Sequence, residues 1–163
     1  MMRLSKISMI FDSNIFIYSA LDHPKFGEKS TKLISKVESR EIEGYIPTIV
    51  LNETLHRLMI AETIKERKAK NVRDALFILK NDRETIPRLE VCWSEINKIL
   101  DMDFIILKEK PNTFLNSIEI SKRYSLLARD AYIASFAKDY GIENIATFDK
   151  DFERVDFLKV WKL

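Results

Sequence analysis

A chain of 163 residues suits one domain with a sizeable core, and 46% hydrophobic with 32% charged residues is ordinary for a globular chain and unlike a disordered one. No run approaches the roughly 18 apolar residues of a membrane helix. The single cysteine excludes an intramolecular disulfide, and two histidines with one cysteine exclude a Cys/His zinc site. A net charge of only +2 excludes bulk electrostatics as a route to nucleic acid, so any such contact must come from local patches. The start of the chain runs directly into an apolar segment, so the expectation is no signal peptide and a reducing, cytoplasmic compartment.

Ile7 to Phe11 is a short apolar run ended by Asp12 and followed by helix-compatible residues, the pattern of a buried strand feeding a helix. Leu33, Ile34 and Val37 give helical spacing to Ser30–Glu41. Gly44 to Pro47 reads as a second strand, and Thr48 opens a helix towards Lys65 with Leu51, Leu55, Leu58 and Met59 on its apolar face. Between Lys65 and Trp93 the spacing predicts one helix, Val72 to Leu79, with a loop around Asn81 and Asp82. Another helix follows from Trp93 to Leu100, and Cys92, between Val91 and Trp93, reads as a small core residue.

Phe104 to Leu107 reads as a third strand and Pro111 as a loop. Helices follow over Thr113–Arg123 and Arg129–Tyr140, the second closed by Gly141 as a C-cap. Asn144 to Phe148 is a fourth strand, and Leu158 to Trp161 a fifth. Strands alternating with helices imply a single α/β domain over residues 1–163, with a central parallel sheet and helices on both faces.

Four acidic residues stand out in this frame. Asp12 ends a buried strand, where a parallel sheet places its chemistry. An unpaired charge there would be costly to desolvate; the alternative is a helix cap. Glu53 sits among Leu51, Leu55 and Leu58, and could instead pair with Arg57 one turn on. Asp130 precedes Ala131, Ile133 and Ala134, and Asp149 follows the apolar Ile145-Ala146-Thr147-Phe148; capping is the competing reading for both. Asp151 is either part of a metal shell or a cap for the turn at Phe152. Thr147 could orient a carboxylate or fill a strand position, and Asn14 could support the site or sit in a first helical turn.

The order of these pieces resembles the PIN domain, a nuclease family, and in particular its short VapC-like toxin ribonucleases. The matching segments are Phe11-Asp12-Ser13-Asn14, Asn52-Glu53-Thr54, Arg129-Asp130-Ala131 and Thr147-Phe148-Asp149-Lys150-Asp151-Phe152. The resemblance covers Ile7 to about Val160 and implies a three-layer α/β/α sandwich. It implies catalytic Asp12, Glu53, Asp130 and Asp149. Asp12, Asp130 and Asp149 would be ligands to Mg²⁺ or Mn²⁺, with Glu53 and Asp151 as further candidates. Hard divalent cations take oxygen ligands, and clustered carboxylates need a cation to offset their repulsion.

The implied function is a metal-dependent endoribonuclease, the toxin of a type II toxin–antitoxin system, with RNA as substrate, a small antitoxin protein as partner and a homodimeric assembly. The alternatives are a housekeeping RNA-processing nuclease and a non-catalytic RNA-binding or scaffold domain. Asp12-Ser13-Asn14 lacks the Asp-x-Asp that a haloacid-dehalogenase-type phosphatase would need, and the acidic pair of a receiver domain is missing near the start.

His56 reads as a packed or surface histidine, because a metal-bound water needs no such base. The basic run Lys65, Arg67, Lys68, Lys70 and Arg73 is either a solvated helix end or a contact for RNA backbone; Lys108, Lys110, Lys122 and Arg123 are the alternative track.

Overall fold

The computed structural model describes residues 6–66 and 69–163. Its centre is β1 (Ile7–Phe11), whose last three residues, Met9, Ile10 and Phe11, are fully buried. Both faces of such a strand are covered, which is why its sequence is continuously apolar and does not alternate. β2 (Ile42–Pro47) and β4 (Asn144–Ala146) flank it, with Ile10 in register with both Tyr45 and Ile145. β3 (Ile105–Leu107) and β5 (Lys159–Val160) are the edges of a five-stranded, all-parallel sheet ordered β3-β2-β1-β4-β5.

The chain winds outward from β1 through β2 to β3, then crosses back to β4 on the other side of β1. Parallel crossovers are right-handed, so the reversal places the helices before and after it on opposite faces. The helices α1 (Ser13–Ala20), α2 (Gly27–Glu38), α3 (Thr48–Glu66), α4 (Val72–Asn81) and α5 (Val91–Asp101) form one group, in which α1 packs on α2 and α3, and α3 on α4 and α5. The second group is α6 (Thr113–Tyr124) on α7 (Ala128–Tyr140). This is the expected sandwich, and the reversal of strand order lies between β1 and β4, where open α/β sheets leave a crevice for ligands.

Several boundaries differ from the sequence reading, each for a local reason. α2 begins at Gly27, ahead of Ser30, because a glycine lets this turn approach α1: a Cβ would lie 3.0 Å from the Tyr18 carbonyl oxygen. β2 begins at Ile42, whose partner is Ile7. The charged Glu43 lies within the strand and accepts a hydrogen bond from the Tyr45 hydroxyl. Phe104 stays outside β3. Its ring meets Phe11 edge-on at 5.0 Å and Phe16 at 5.3 Å, over Gly44, where a Cβ would come within 2.6 Å of it.

β4 stops at Ala146, because Thr147 turns out of the ladder to bond Asp12. A short 3-10 turn at Ile86–Arg88, not anticipated, starts the approach to α5, which itself begins at Val91. Gly141 closes α7 at φ 66°, the left-handed conformation expected of it.

The apolar face of α3 is broader than expected. Leu58 is buried as expected, but Val50, Thr54 and Ile60 are buried too, while Leu51, Leu55 and Met59 are only partly so. The same helix buries Glu62, which accepts backbone N–H bonds from Glu90 (2.7 Å), Val91 (2.9 Å) and Cys92 (2.7 Å). Four N–H groups at a helix start lack intrahelical partners, and Glu62 caps α5 from a neighbouring helix. Burial opposes its ionisation, but the three donors outweigh it and hold its pKa below 4.5. Cys92 is fully buried, and burial together with the nearby Glu62 pushes its thiol up to about 12, so it is a core residue and not a nucleophile.

Glu62→Ala should cost about 3 kcal/mol, the scale of a lost charged acceptor that leaves buried donors unsatisfied. A carboxylate with a folded pKa below its unfolded value stabilises in full above the unfolded value and loses that contribution as pH falls through the folded one. The gap between wild type and Glu62→Gln in urea melts should therefore be widest at neutral pH and narrow in acid. An equal gap at every pH would contradict the capping role.

Candidate functional site

The chain leaves β1 at Asp12, whose N–H donates to the Ala146 carbonyl at 3.0 Å and so ties it to the end of β4. The Asp12 side chain is fully buried. Its Oδ1 accepts from Ser13 N–H at 2.7 Å, and its Oδ2 accepts from the Thr147 hydroxyl at 2.7 Å and the Asn14 amide at 3.1 Å. Thr147 Oγ1 in turn accepts from Asp149 N–H at 3.0 Å. Thr147 and Asn14 therefore both orient the carboxylate. Asp12 is also the cap of α1, the alternative its position in the sequence offered.

Asp149 accepts from Asp151 N–H at 2.9 Å and caps the 3-10 turn Lys150–Arg154. Asp151 pairs with Arg154 Nη2 at 2.8 Å. Asp130 is not a cap: α7 is preceded by Leu127, and Asp130 sits inside its first turn, buried. Burial raises its pKa; Arg129 opposes that rise, and the charges of Asp149 and Asp12 add to it.

One carboxylate oxygen from each of Asp130, Asp149 and Asp151 lies within 4.8 Å of the others. An all-oxygen, partly buried trio whose most buried member resists carrying a charge suits a hard divalent cation, which would supply the missing positive charge and keep several waters.

Asp12 and Glu53 join this trio through a residue that sequence reasoning passed over. Arg129, on the first turn of α7, bonds Glu53 through Nη1 and Asp130 Oδ1 through Nη2 at 2.9 Å. Nη1 also donates to Ser13 Oγ at 3.2 Å and lies 3.6 Å from Asp12 Oδ1. Glu53 thus pairs across the site, away from its i+4 neighbour Arg57. In the sequence Arg129 is marked only by its place beside Asp130, within the matching segment Arg129-Asp130-Ala131, and nothing local assigns it a role of its own.

His56 is exposed, as expected of a surface histidine. In the basic run, Lys65, Lys70 and Arg73 are exposed, whereas Arg67 and Lys68 lie outside the described residues. In the alternative track, Lys110 is bound to the Asp139 carbonyl at 2.9 Å and Lys122 to Glu119 at 3.0 Å.

The family model of the PIN domain matches residues 9–158. Ribonuclease VapC2 of Methanocaldococcus jannaschii is 38% identical over 160 residues, covering 98% of this chain and 96% of the relative. Ribonuclease VapC6 of the same organism is 33% identical over 158 residues, covering 92% and 97%. Among solved structures, VapC20 of Mycobacterium tuberculosis, described as a sarcin-ricin loop cleaving toxin, superposes with a TM-score of 0.61 at 13% identity, over 92% of this chain and 96% of its own. VapBC2 of Rickettsia felis, bound to a promoter DNA fragment, superposes with a TM-score of 0.58 at 17% identity, over 95% and 98%. At such identities these two speak for the fold alone.

The crowding of Asp149 against Asp130 and Asp151 yields a test that needs no substrate. Asparagine keeps the capping oxygen of Asp149 but removes its charge. Asp149→Asn should raise the melting temperature of the ion-free protein by about 2–4 °C, the equivalent of about 1 kcal/mol in a chain of this size. A lower melting temperature would mean that the Asp149 charge is a structural requirement.

Proposed function

The chain belongs to the PIN domain family, and we propose that it works as a metal-dependent endoribonuclease, the toxin half of a toxin–antitoxin pair. The observation that carries the chemistry is the carboxylate trio at the carboxyl edge of the sheet, with Asp12 locked beside it. The toxin role is supported by relatives named as VapC ribonucleases that match over nearly their whole length. The same likeness favours RNA as substrate, a small antitoxin as partner and a cytoplasmic setting. Among the described residues no helix is long and apolar enough to cross a membrane.

Asp130, Asp149 and Asp151 would hold the ion. Bound there, Mg²⁺ or Mn²⁺ would neutralise phosphate charge and acidify a water in its shell. Asp12, fixed by Thr147 and Asn14, would add negative charge at the same edge. Glu53, partly exposed on α3 and paired with Arg129, would orient the attacking water as its oxygen bonds to phosphorus and the leaving oxygen departs.

Lys150, exposed next to Asp149, would offer an RNA phosphate a positive charge beside the trio. Lys65 is about 18 Å from Glu53 along α3 at 1.5 Å per residue, so only a substrate several nucleotides long could touch both.

The homodimer is part of the same proposal. Phe114, Leu115 and Ile118 form an exposed apolar face on α6, and large apolar side chains grouped on one helix face suit a partner surface.

Cleavage of structured and single-stranded RNA should require Mg²⁺ or Mn²⁺ and stop with chelator. Asp12→Asn, Asp130→Asn and Asp149→Asn should each lower the single-turnover rate by about 10²- to 10³-fold, the scale of one lost electrostatic contact to a transition state, with near-native circular dichroism. RNA left intact with either ion across a range of salt would overturn the proposal.

A further inference from the structure

Arg129 places a permanent positive charge inside an acidic site, and the geometry divides that site around it. On one side are Asp12 and Glu53, which meet the guanidinium; on the other are Asp149 and Asp151, which share the trio of convergent oxygens with Asp130, Asp151 also pairing with Arg154. Asp130 is common to both groups, bonded to Arg129 Nη2 at 2.9 Å while contributing an oxygen to the trio. Two-cation phosphodiester sites hold two positive centres about 3.5–4 Å apart, and here a guanidinium stands on one side of Asp130 with the acidic trio on the other.

We infer that Arg129 fills the second cation position of this site, so that the protein takes up one divalent ion, at Asp130, Asp149 and Asp151, and not two. The inference rests on the metal-dependent reading above.

Asp12 supports it by lone-pair accounting. A carboxylate offers about four acceptor sites. Three of those of Asp12 accept from Ser13 N–H, the Thr147 hydroxyl and the Asn14 amide, and Arg129 Nη1 forms an ion pair with Oδ1 at 3.6 Å. With Arg129 Nη1 standing 3.6 Å from Oδ1, a cation approaching the remaining lone pair of Asp12 would meet a positive charge already there.

Arg129 is also held where it is. It is rooted one residue from Asp130, steadied by Ser13 Oγ, and its side chain is 33% exposed, so its outer edge reaches the solvent from which a phosphate would approach. A guanidinium keeps its charge at every working pH and presents its donors in a plane that fits phosphate oxygens. Arg129 is therefore a positioning and charge-balancing residue for the hydrolysis.

The test is calorimetric titration of the whole protein with Mn²⁺, free of RNA. Wild type and Arg129→Lys should bind one ion per chain. Arg129→Ala, which frees Asp12 and Glu53, should bind two. Arg129→Gln keeps amide hydrogen bonding without the charge; it should also bind two and serves if the alanine variant fails to fold.

Cleavage should follow the same count. The wild-type rate should rise hyperbolically with Mn²⁺, and the Arg129→Ala rate should rise with a Hill coefficient near 2. Two ions on wild type would overturn the inference, as would one ion of unchanged affinity on the neutral variants. If neither wild type nor any variant binds Mn²⁺, the metal-dependent reading itself fails, and this inference with it.

Discussion

Five carboxylates, from Asp12, Glu53, Asp130, Asp149 and Asp151, are gathered above the ends of β1 and β4. Like charges at such separations raise one another's pKa and push apart, and Asp130 shows the effect after burial has already raised it. The protein counters the repulsion with a guanidinium placed between Asp12, Glu53 and Asp130. Backbone and hydroxyl donors aimed at Asp12, and the N–H groups of Asp149 and Asp151 donating to Thr147 Oγ1 and Asp149 Oδ1, complete the arrangement. Arg129 does not reach the face formed by Asp149 and Asp151, where Arg154 pairs with Asp151 and the proposed cation would balance the remaining charge.

The fold brings these groups together through one topological event, the return of the chain across β1 between β3 and β4. It puts Asp12 next to the residues after β4 and delivers α7, with Arg129 and Asp130 on its first turn, to the same edge. α3 contributes Glu53 near its start and Glu62 near its end, and the two carboxylates have opposite fates. Glu53 faces the site. Glu62, enclosed by three N–H donors, is a structural cap that holds α5 against α3. Each is a glutamate on the same helix, and only the identity of the donor that meets it separates a functional acid from a scaffolding one.

That distinction explains what could be read from the sequence. β1 and β4 were legible because strands buried on both faces are continuously apolar, and α7 because Gly141 marks its end. Asp12, Asp130 and Asp149 were legible as candidates because each interrupts or adjoins an apolar run, where a charge needs a reason. Arg129 was not, since its partners Ser13 and Glu53 lie 116 and 76 residues away. Glu62 was hidden for the same reason, with its donors 28 to 30 residues on, between two segments whose packing no local pattern reveals. Strand ends were misjudged where side-chain bonding overrode propensity, as at Thr147, which favours a strand but leaves it for Asp12.

On the proposed reading this edge of the sheet takes up one hard divalent cation, bounded on one side by the fixed guanidinium of Arg129. The most direct measurement is a crystal structure of the protein soaked in Mn²⁺, with the ion located by its anomalous scattering. The account predicts a single peak within coordination distance of Asp130, Asp149 and Asp151, with Arg129 still bonded to Glu53 and Asp130. No peak at those residues, or a peak between Asp12 and Glu53 with Arg129 swung away, would contradict it.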